Sequence, residues 1–281
     1  MKVGLIDVGG GMRASYSIGI LDVCLENDIN FDCCIGVSAG SLNLINFLSK
    51  QKGRNYKYYF DYAFRKEYSG LRVFLKTKSY LNLKYVYETI PNSDGENPLD
   101  YKTLKNNKSD FFVVAEECES GKTKYFTKDD IKQNDYRVIS ASCNIPVINR
   151  PVVIDGVSYF DGGFADAVPI QKALDEGCDK IVLILTRPVD ILRSPKRDKI
   201  FAKFLKLKYP KAAKRLADRA NQYNNAIKLA KKLQEEGKVF ILSPKDTYGL
   251  DTLTRNKESM QKLYEDGKKD AEKLINWLKV E

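Results

Sequence analysis

The fold of this chain is decided by its N-terminal stretch, which reads KVGLIDVGGGMRASYSIGILDVCLENDINFDCCIGVSAG over residues 2–40. Two short apolar runs, residues 2–8 and residues 31–37, are typical of strands buried on both faces. Each run is followed by a glycine-containing turn and then by apolar residues at helical spacing. An order of strand, helix, strand, helix predicts a parallel sheet with covering helices. The sequence therefore predicts an α/β fold with a mostly parallel central sheet.

Downstream of this stretch, the pattern predicts two hairpins and a further αβ series. Residues 111–116 and 122–126 lie on either side of a turn, and residues 152–154 and 158–160 flank Asp155-Gly156, a strong hairpin signal. The remaining predicted elements are a helix over about 170–177, a strand over 181–185, a helical stretch over about 210–236, a strand over 239–242 and a final amphipathic helix.

The organisation of the chain indicates one domain. No linker divides it, so we predict a single domain over residues 1–281, with a basic helical C-terminal portion from about residue 187. Residues 54–105 are tyrosine-rich and irregular, and we interpret them as an insertion over the sheet. The longest uncharged stretch, residues 33–49, is too short and too polar to span a bilayer, and we find no secretory signal pattern. We therefore expect a cytoplasmic protein.

The chain has no histidine, which excludes several kinds of active site at once. A Ser-His-Asp triad, a Cys-His pair and a histidine-ligated zinc ion all require that side chain. Any nucleophilic serine must therefore lose its proton to an aspartate, glutamate, lysine or tyrosine. The six cysteines show no C-x-x-C spacing, and we interpret them as small buried apolar residues, with disulfides or a metal site as the alternatives.

The first motif that carries chemistry is Gly36-Val37-Ser38-Ala39-Gly40, a G-x-S-x-G sequence between the second strand and the second helix. In a nucleophile elbow of this kind the serine lies on a strained turn, and Gly36 and Gly40 are small enough for neighbouring backbones to pass. The turn also places Ser38 at a helix N-terminus, where free amides favour negative charge. Ser38 is the predicted nucleophile, and the alternative is a glycine-rich turn without chemistry.

The second motif is Gly9-Gly10-Gly11-Met12-Arg13, directly after the first strand. Successive glycine amides can form a concave set of donors for an oxyanion. Because loops that follow parallel strands lie at one edge of the sheet, we expect this segment close to Ser38. The pattern Gly9-x-Gly11-x-x-Ala14 also satisfies the dinucleotide-binding fingerprint, which is an alternative. That alternative requires an acidic residue at the end of the second strand, whereas Asp32 lies at its beginning.

The third motif is Asp161-Gly162-Gly163, at the end of the predicted strand over residues 158–160. A strand-end aspartate followed by glycines leaves its carboxylate accessible, although Asp-Gly is also common in ordinary turns. In a chain without histidine, Asp161 is the best candidate for the base. An unperturbed aspartate, with a pKa of ~3.9, is a weak base toward a serine hydroxyl. The role therefore requires a partly desolvated Asp161 and strong stabilisation of the oxyanion.

These three motifs, in this order and spacing, resemble those of the patatin-like phospholipase family, and most of all its small bacterial single-domain members. The resemblance covers nearly the whole chain, and Ser140-Ala141-Ser142 leading to Pro146 also fits it. It implies a three-layer α/β/α fold and a Ser–Asp dyad. It also implies hydrolysis of acyl esters of phospholipids or other lipids, with no metal or other cofactor.

The resemblance also implies roles for particular residues. By position, Ser38 is the nucleophile and Asp161 the proton acceptor. The segment Gly9–Gly11, together with Arg13, corresponds to the oxyanion loop. One position departs from the family, because Ala14 stands where the family has a glycine. A methyl group there is compatible with ordinary helical backbone angles but not with a close backbone approach.

The net charge of +10 is concentrated near the C-terminal third. From Arg187 to Lys238 there are 16 Lys or Arg residues against 5 Asp or Glu residues, an excess of 11. Within this stretch one side of a predicted helix carries Ile200, Phe201, Phe204, Leu205 and Leu207, and the other side carries Lys199, Lys203 and Lys206. We hypothesise that the basic region over residues 196–232 contacts an anionic membrane surface peripherally. The alternative is a core-packed helix with a solvated lysine face.

Taken together, the motifs predict a serine acyl hydrolase whose partner is a phospholipid or other lipid ester. An alternative from another class is a lipid-surface binding protein with weak or no turnover. No recognition motif accompanies the basic charge, so no nucleic-acid partner is expected. We also expect residues 54–105 to line the acyl pocket.

Overall fold

The computed structural model describes residues 1–279, in which one mixed β-sheet is flanked by helices. The strands are β1 (Val3–Asp7), β2 (Cys33–Val37), β3 (Asp110–Glu117), β4 (Thr123–Thr127), β5 (Val152–Ile154), β6 (Val157–Asp161), β7 (Lys180–Ile184) and β8 (Val239–Leu242). The helices are α1 (Ser15–Glu26), α2 (Ala39–Leu48), α3 (Arg54–Phe60), α4 (Leu71–Thr77), α5 (Tyr101–Asn106), α6 (Arg137–Ser142), α7 (Ile170–Asp175), α8 (Lys196–Leu205), α9 (Pro210–Glu235) and α10 (Lys257–Lys279).

The sheet has the order β5-β6-β3-β2-β1-β7-β8, and β4 also pairs with β3. Strands β3, β2, β1, β7 and β8 run parallel, whereas β4 and β6 pair with β3 in the antiparallel sense. The mostly parallel sheet and the hairpins β3–β4 and β5–β6 confirm the predicted α/β class. Because β1 and β2 are parallel neighbours, the loops that follow them lie side by side at one edge.

Alternate side chains of the parallel strands enter two separate cores. On one face, Leu5 and Cys34 belong to a core that includes residues of α1, α2 and α10. On the other face, Ile35 and Leu183 pack with residues of α7 and α9. A smaller third core joins α8 and α9 to the antiparallel edge of the sheet around Phe160. This is the three-layer α/β/α arrangement that the family resemblance implies. All six cysteines are buried and free of disulfide bonds, as predicted.

The insertion over residues 54–105 is more regular than its sequence pattern indicates. It contains α3, α4, α5 and a π-helical turn over Tyr85–Thr89. Several of its tyrosine rings are buried in the core that also contains α1 and α2. The hydroxyl of Tyr59, for example, donates a hydrogen bond of 2.9 Å to the side chain of Asn43. Tyrosine therefore serves here as an apolar core residue with a polar end, which obscures the helical pattern.

The apolar side of α8 faces outward over most of its length. Its exposed large apolar side chains are Ile200, Phe201, Phe204 and, just beyond the helix end, Leu207. Phe204 is 69% exposed and Leu207 is 99% exposed, whereas Ala202 and Leu205 are buried. The alternative of a core-packed helix therefore holds only for the edge formed by Ala202 and Leu205. Within residues 1–279, every helix is too short or too polar to cross a membrane.

Candidate active site

Ser38 lies on a sharp turn between β2 and α2, in a backbone conformation that residues with a side chain rarely adopt. Its φ is 55° and its ψ is −130°. Such strain persists only where the surrounding packing imposes it. A Cβ at Gly36 would lie 2.6 Å from the Cα of Ser41, and one at Gly40 would collide with the backbone oxygen of Asp7. The two glycines therefore allow the backbones to approach closely enough to hold the turn.

The register of the sheet brings Asp161 to Ser38. Val37 pairs with Val114 in the parallel ladder between β2 and β3, and the next residue of β3, Ala115, pairs with Asp161 at the end of β6. The residue after Val37 therefore lies beside the strand end that carries the aspartate. The Oγ of Ser38 donates a hydrogen bond of 2.6 Å to the Oδ2 of Asp161.

Asp161 is desolvated and has few partners. Its Oδ1 accepts a hydrogen bond of 2.8 Å from the N–H of Gly163, and the residue is 3% exposed. Burial raises its pKa to about 6, against the hydrogen bonds from Ser38 and Gly163 and the charge of Arg219, which lower it. A carboxyl group with this pKa is mostly ionised at pH 7 and is a stronger base than an exposed aspartate. The site therefore has the partial desolvation that a base role requires.

The loop Gly9–Gly11 runs beside Ser38 with three successive positive φ angles, 64°, 124° and 59°. The N–H of the first glycine donates to the Oδ1 of Asp7 at 2.9 Å, and the N–H of Met12 donates to the carbonyl oxygen of Thr252 at 3.1 Å. These two donors are already engaged, which corrects the predicted oxyanion set. The N–H groups of the second and third glycines have no acceptor among residues 1–279 and are the remaining candidates.

Asp7 fixes the glycine loop to the two helices behind it. Its carboxylate accepts hydrogen bonds from the N–H of Gly9, from the hydroxyl of Ser17 at 3.0 Å and from the side-chain amide of Asn43 at 2.8 Å. Burial raises the pKa of Asp7 to about 6, as it does for Asp161. Both oxygens of Asp7 are occupied by protein donors, so its role is to position the loop.

Arg13 and Ala14 follow the glycine loop. Arg13 was predicted to belong to the oxyanion loop, and Ala14 stands where the family has a glycine. The Nη1 of Arg13 donates to the Oδ1 of Asp251 at 3.0 Å, so its guanidinium binds the C-terminal part of the chain while its Nη2 lies beside Gly10. Ala14 has a φ of −70° and a ψ of 2°. These are ordinary angles for a residue with a side chain, so the methyl group in place of the family's glycine causes no backbone strain.

Two cavities open beside Ser38. The larger has a volume of about 770 Å³ and is lined by Ser38, Asp161, Gly9, Gly10 and further side chains of two kinds. Its apolar wall includes Val8, Ile145, Ile148, Phe164, Phe201 and Leu253, and its basic wall includes Arg13, Arg187, Arg193 and Arg219. The smaller has a volume of about 40 Å³ and is lined from the insertion by Tyr58, Tyr59, Tyr68, Leu81, Val86 and Tyr87. The insertion thus contributes to the smaller cavity and not to the larger one.

The end of β2 that leads to Ser38 carries no acidic residue that could bind a ribose. Asp32 lies at the opposite end of β2, where its Oδ2 accepts a hydrogen bond of 2.7 Å from the N–H of Val3. The residue that follows β2 is Ser38 itself. The dinucleotide alternative therefore finds no carboxylate at the position that it requires.

Several residues have roles at the site that the sequence motifs did not indicate. The hydroxyl of Ser142 accepts a hydrogen bond of 2.9 Å from the N–H of Ser38 and lies 2.8 Å from the Oγ of Ser41, so it braces the turn. Arg187 comes shortly after β7. Its position after a buried parallel strand could have indicated a residue of the site. Arg219 lies in the middle of α9, where nothing in the local sequence distinguishes it from other lysines and arginines.

Comparisons with known proteins give two family matches. A model described as patatin-like phospholipase matches residues 8–174, and a domain of unknown function, DUF6363, matches residues 209–279. The second segment supplies α9, β8 and α10, and β8 pairs with β7 in the same sheet.

Individual proteins are similar over about two thirds of this chain. The uncharacterized protein YjjU of Escherichia coli (strain K12) is 30% identical over 199 residues, which cover 69% of this chain and 54% of that protein. Lysophospholipase NTE1 of Kluyveromyces lactis is 24% identical over 189 residues, which cover 67% of this chain and 13% of that protein. Among solved structures, VipD from Legionella pneumophila aligns with 98% of this chain and 66% of its own, at 13% identity and a TM-score of 0.48.

Proposed function

Because the chain belongs to the patatin-like phospholipase family, we propose that it is a serine acyl hydrolase that cleaves lipid esters with Ser38 as nucleophile and Asp161 as base. At the level of the family, the activity is lipid hydrolysis. The observation that carries the finer proposal is the hydrogen bond of 2.6 Å between a serine on a strained turn and a buried carboxylate, at the wall of a large cavity.

The proposed reaction has two steps. The Oγ of Ser38 attacks the ester carbonyl carbon while Asp161 takes the hydroxyl proton, and the N–H groups of Gly10 and Gly11 bind the oxyanion. The carbon–oxygen bond to the alcohol then breaks, and Asp161 returns the proton to the departing oxygen. Water attacks the acyl-enzyme with Asp161 again as base, which releases the fatty acid and restores Ser38.

The raised pKa of Asp161 supports its assignment as the base. A proton acceptor works best when its pKa lies near the working pH, and burial raises the pKa of Asp161 to about 6. The loop behind it is preorganised, because Asp7 and the carbonyl of Thr252 hold the engaged N–H groups on either side of Gly10 and Gly11. Preorganised donors of this kind are worth roughly 3–4 kcal/mol each to the barrier.

A chain-length series of p-nitrophenyl esters tests the proposal. We expect wild-type protein to hydrolyse these esters, and Ser38→Ala and Asp161→Asn to lose the activity while circular dichroism shows retained folding. The chain-length optimum would show how much of the apolar wall of the larger cavity the acyl group occupies. Activity that survives Ser38→Ala would contradict the proposal.

The outward side of α8 supports contact with an anionic lipid surface. Ile200 and Phe201 are exposed and line the mouth of the larger cavity, so this surface and the substrate path are continuous. Lysines on the same helix would add attraction to anionic headgroups. We expect vesicles rich in phosphatidylglycerol to bind the protein in a salt-dependent way, and Phe204→Ser to weaken that binding.

The same surface also fits the alternative of a lipid-binding protein with little turnover. Vesicle binding without release of acyl groups would favour that alternative over the hydrolase. We further propose that residues 1–281 act as one domain, which is supported by the pairing of β8 with β7 and by the packing of α10 on the core that contains α1.

A further inference from the structure

Four arginines from different parts of the chain line the larger cavity together with Ser38 and Asp161. They are Arg13 after β1, Arg187 after β7, Arg193 before α8 and Arg219 within α9. We call this set the arginine wall. Nothing in the proposed hydrolysis uses these side chains, because the nucleophile, the base and the oxyanion donors all lie on other residues. Half-buried arginines normally have partners that satisfy their charge, so the partners of the arginine wall decide its role.

The arginine wall has too few carboxylates to balance it. Asp198 pairs with Arg193 at 2.8 Å and lies 3.7 Å from Arg219, and Asp251 pairs with Arg13 at 3.0 Å. Among residues 1–279, Arg187 forms no ion pair or hydrogen bond, and its guanidinium lies 5.8 Å from the ring centroid of Tyr223. Four cations thus face two structural carboxylates.

Other charges do not remove this excess. With Asp161 ionised, the wall still carries one positive charge more than it has carboxylates, and Lys196 and Arg197 at the same cavity add two more. The cavity of about 770 Å³ is therefore net positive beside the scissile position.

Unused hydrogen-bond donors accompany this charge. The Nε atoms of Arg13 and Arg219 are buried without an acceptor in the described part of the chain. Buried donors are almost always satisfied in native proteins, so these two groups leave hydrogen-bonding capacity unused on one cavity wall. The guanidinium group is also a planar fork of donors that matches the oxygens of a phosphate.

The arginine wall lies next to the reacting groups. A Cβ built at Gly163 would be 3.0 Å from the Nη2 of Arg219 and 3.1 Å from the Oδ1 of Asp161. One built at Gly10 would be 3.1 Å from the Nη2 of Arg13. The absence of a side chain at these two glycines therefore leaves room for one guanidinium group beside Asp161 and for another beside the glycine loop. A group held by the wall would share the cavity with the ester that Ser38 attacks.

We propose that the arginine wall binds a phosphate group on the alcohol part of the substrate, so that acyl esters of glycerol phosphate are preferred over uncharged acylglycerols. This inference rests on the proposed ester hydrolysis for its catalytic consequence but not for the binding itself. A terminal phosphate carries close to two negative charges at neutral pH and meets the excess of positive charge. A choline headgroup would bring a further cation into the same cavity and is disfavoured.

The binding is tested first without turnover, by calorimetry on Ser38→Ala protein. The probes are glycerol 3-phosphate, inorganic phosphate and glycerol. We expect glycerol 3-phosphate to bind with a Kd of about 1 mM or tighter, glycerol not to bind, and Arg187→Gln in the same background to weaken binding at least about tenfold, or ~1.4 kcal/mol. Arg187 is the best position to change because, among residues 1–279, it has no ion-pair or hydrogen-bond partner to leave unpaired. Lys269→Gln, an exposed charge change on α10 outside the basic region and the cavity, is the matched control and should bind as the parent does.

Three results of this binding test would overturn the proposal. One is the absence of glycerol 3-phosphate binding, and another is equal binding by the Arg187→Gln and Lys269→Gln proteins. The third is inorganic phosphate binding at least about tenfold more tightly than the ester, which would assign the site to a free anion and not to a headgroup.

Turnover gives a second, separable test. With acyl groups of equal length, wild-type kcat/KM should be at least about tenfold higher for 1-acylglycerol 3-phosphate than for either the monoacylglycerol or lysophosphatidylcholine, or ~1.4 kcal/mol. Arg187→Gln should lower this ratio, Arg187→Lys should retain most of it, and Lys269→Gln should leave it unchanged. A ratio near one in wild-type protein would overturn the preference. If no ester is hydrolysed at all, the proposed function fails, and the calorimetry still decides whether the phosphate site exists.

Discussion

Asp7 and Asp161 end two strands of the same sheet and have closely similar surroundings. Each accepts a hydrogen bond from the backbone N–H two residues further on and another from a serine hydroxyl. Burial raises the pKa of both to about 6. The two sites differ in the serine: Ser17 is fully buried within α1, whereas Ser38 lies on a turn that borders both cavities.

A desolvated carboxylate with a serine partner does not by itself identify a catalytic base. A raised pKa and a serine partner occur at both aspartates, so neither feature distinguishes a base from a residue that positions a loop. Asp7 has three protein donors around its two oxygens, which leaves no room for a proton to arrive from a substrate. Asp161 has two partners, and one of them, Ser38, has a φ of 55° and faces open space. Access and backbone strain, and not the carboxylate alone, point to chemistry.

The largest expected effect separates the two serines. Ser38→Ala and Asp161→Asn should each lower kcat/KM for a p-nitrophenyl ester by about 10⁴-fold, because each removes a group that takes part directly in the proposed reaction. Ser17→Ala removes the same kind of serine–carboxylate contact at Asp7 and should lower it by less than about tenfold. Steady-state kinetics on the three variants provides the measurement. Equal losses of kcat/KM in Ser17→Ala and Ser38→Ala would mean that the two serine–carboxylate pairs do not differ in function.

The next effect concerns stability, for which Asp7 should matter more than Asp161. Asp7→Ala leaves three buried donors without an acceptor, whereas Asp161→Ala leaves only the N–H of Gly163 buried, since Ser38 can turn to the cavity. Both changes remove a desolvated carboxylate with a similar pKa. The free energy gained by removing a buried carboxylate is therefore similar in the two variants. Asp7→Ala should therefore be less stable than Asp161→Ala by ~2–4 kcal/mol in the free energy of unfolding. Urea denaturation at pH 7.5 measures this difference, and equal stabilities would mean that Asp7 does not fix the loop.

The pH dependence of activity and that of stability should run in opposite directions. Asp161 must be ionised to accept a proton, so kcat/KM should fall about tenfold per pH unit below its pKa of about 6. Because the pKa of both aspartates is raised above 3.8, the folded state binds more protons than the unfolded state between about pH 4 and pH 6. Their contribution to stability is therefore lost as pH rises through that window. A pH profile of kcat/KM that stays flat down to pH 4.5 would contradict the role of Asp161.

The smallest expected effect concerns the hydrogen bond between Ser17 and Asp7. Its hydrogen bond to Ser17 is buried but neutral on the donor side, so Ser17→Ala should cost only ~1–2 kcal/mol of unfolding free energy. Thermal and urea unfolding of Ser17→Ala beside wild type provide the measurement. A loss as large as that of Asp7→Ala would mean that the serine, and not the amide of Gly9 or Asn43, is the main partner of Asp7.

Much of the fold and the outline of the site could be predicted from local sequence. The apolar runs around the glycine turns determine the strand–helix order, and the glycines beside Ser38 mark a close approach of backbones. The strand-end position of Asp161 follows from the turn at Asp155-Gly156. These features depend on residues a few positions apart, which is why the pattern reveals them.

The parts that escaped prediction depend on contacts between distant residues. The N–H groups of Gly9 and Met12 already donate to Asp7 and to the carbonyl of Thr252, and Thr252 lies 240 positions away from Met12. Arg219 reaches Asp161 only because α9 packs across the sheet. The outward apolar side of α8 has the same pattern as a buried face, so only tertiary packing distinguishes the two.

The most direct test of the dyad is covalent labelling with a p-nitrophenyl alkylphosphonate, followed by peptide mass spectrometry. We expect one adduct per chain on the peptide that contains Ser38, one equivalent of p-nitrophenol released, no adduct in Ser38→Ala and a much slower reaction in Asp161→Asn. An adduct on another residue, or labelling of Ser38 at an unchanged rate in Asp161→Asn, would contradict the claim that Ser38 and Asp161 act together.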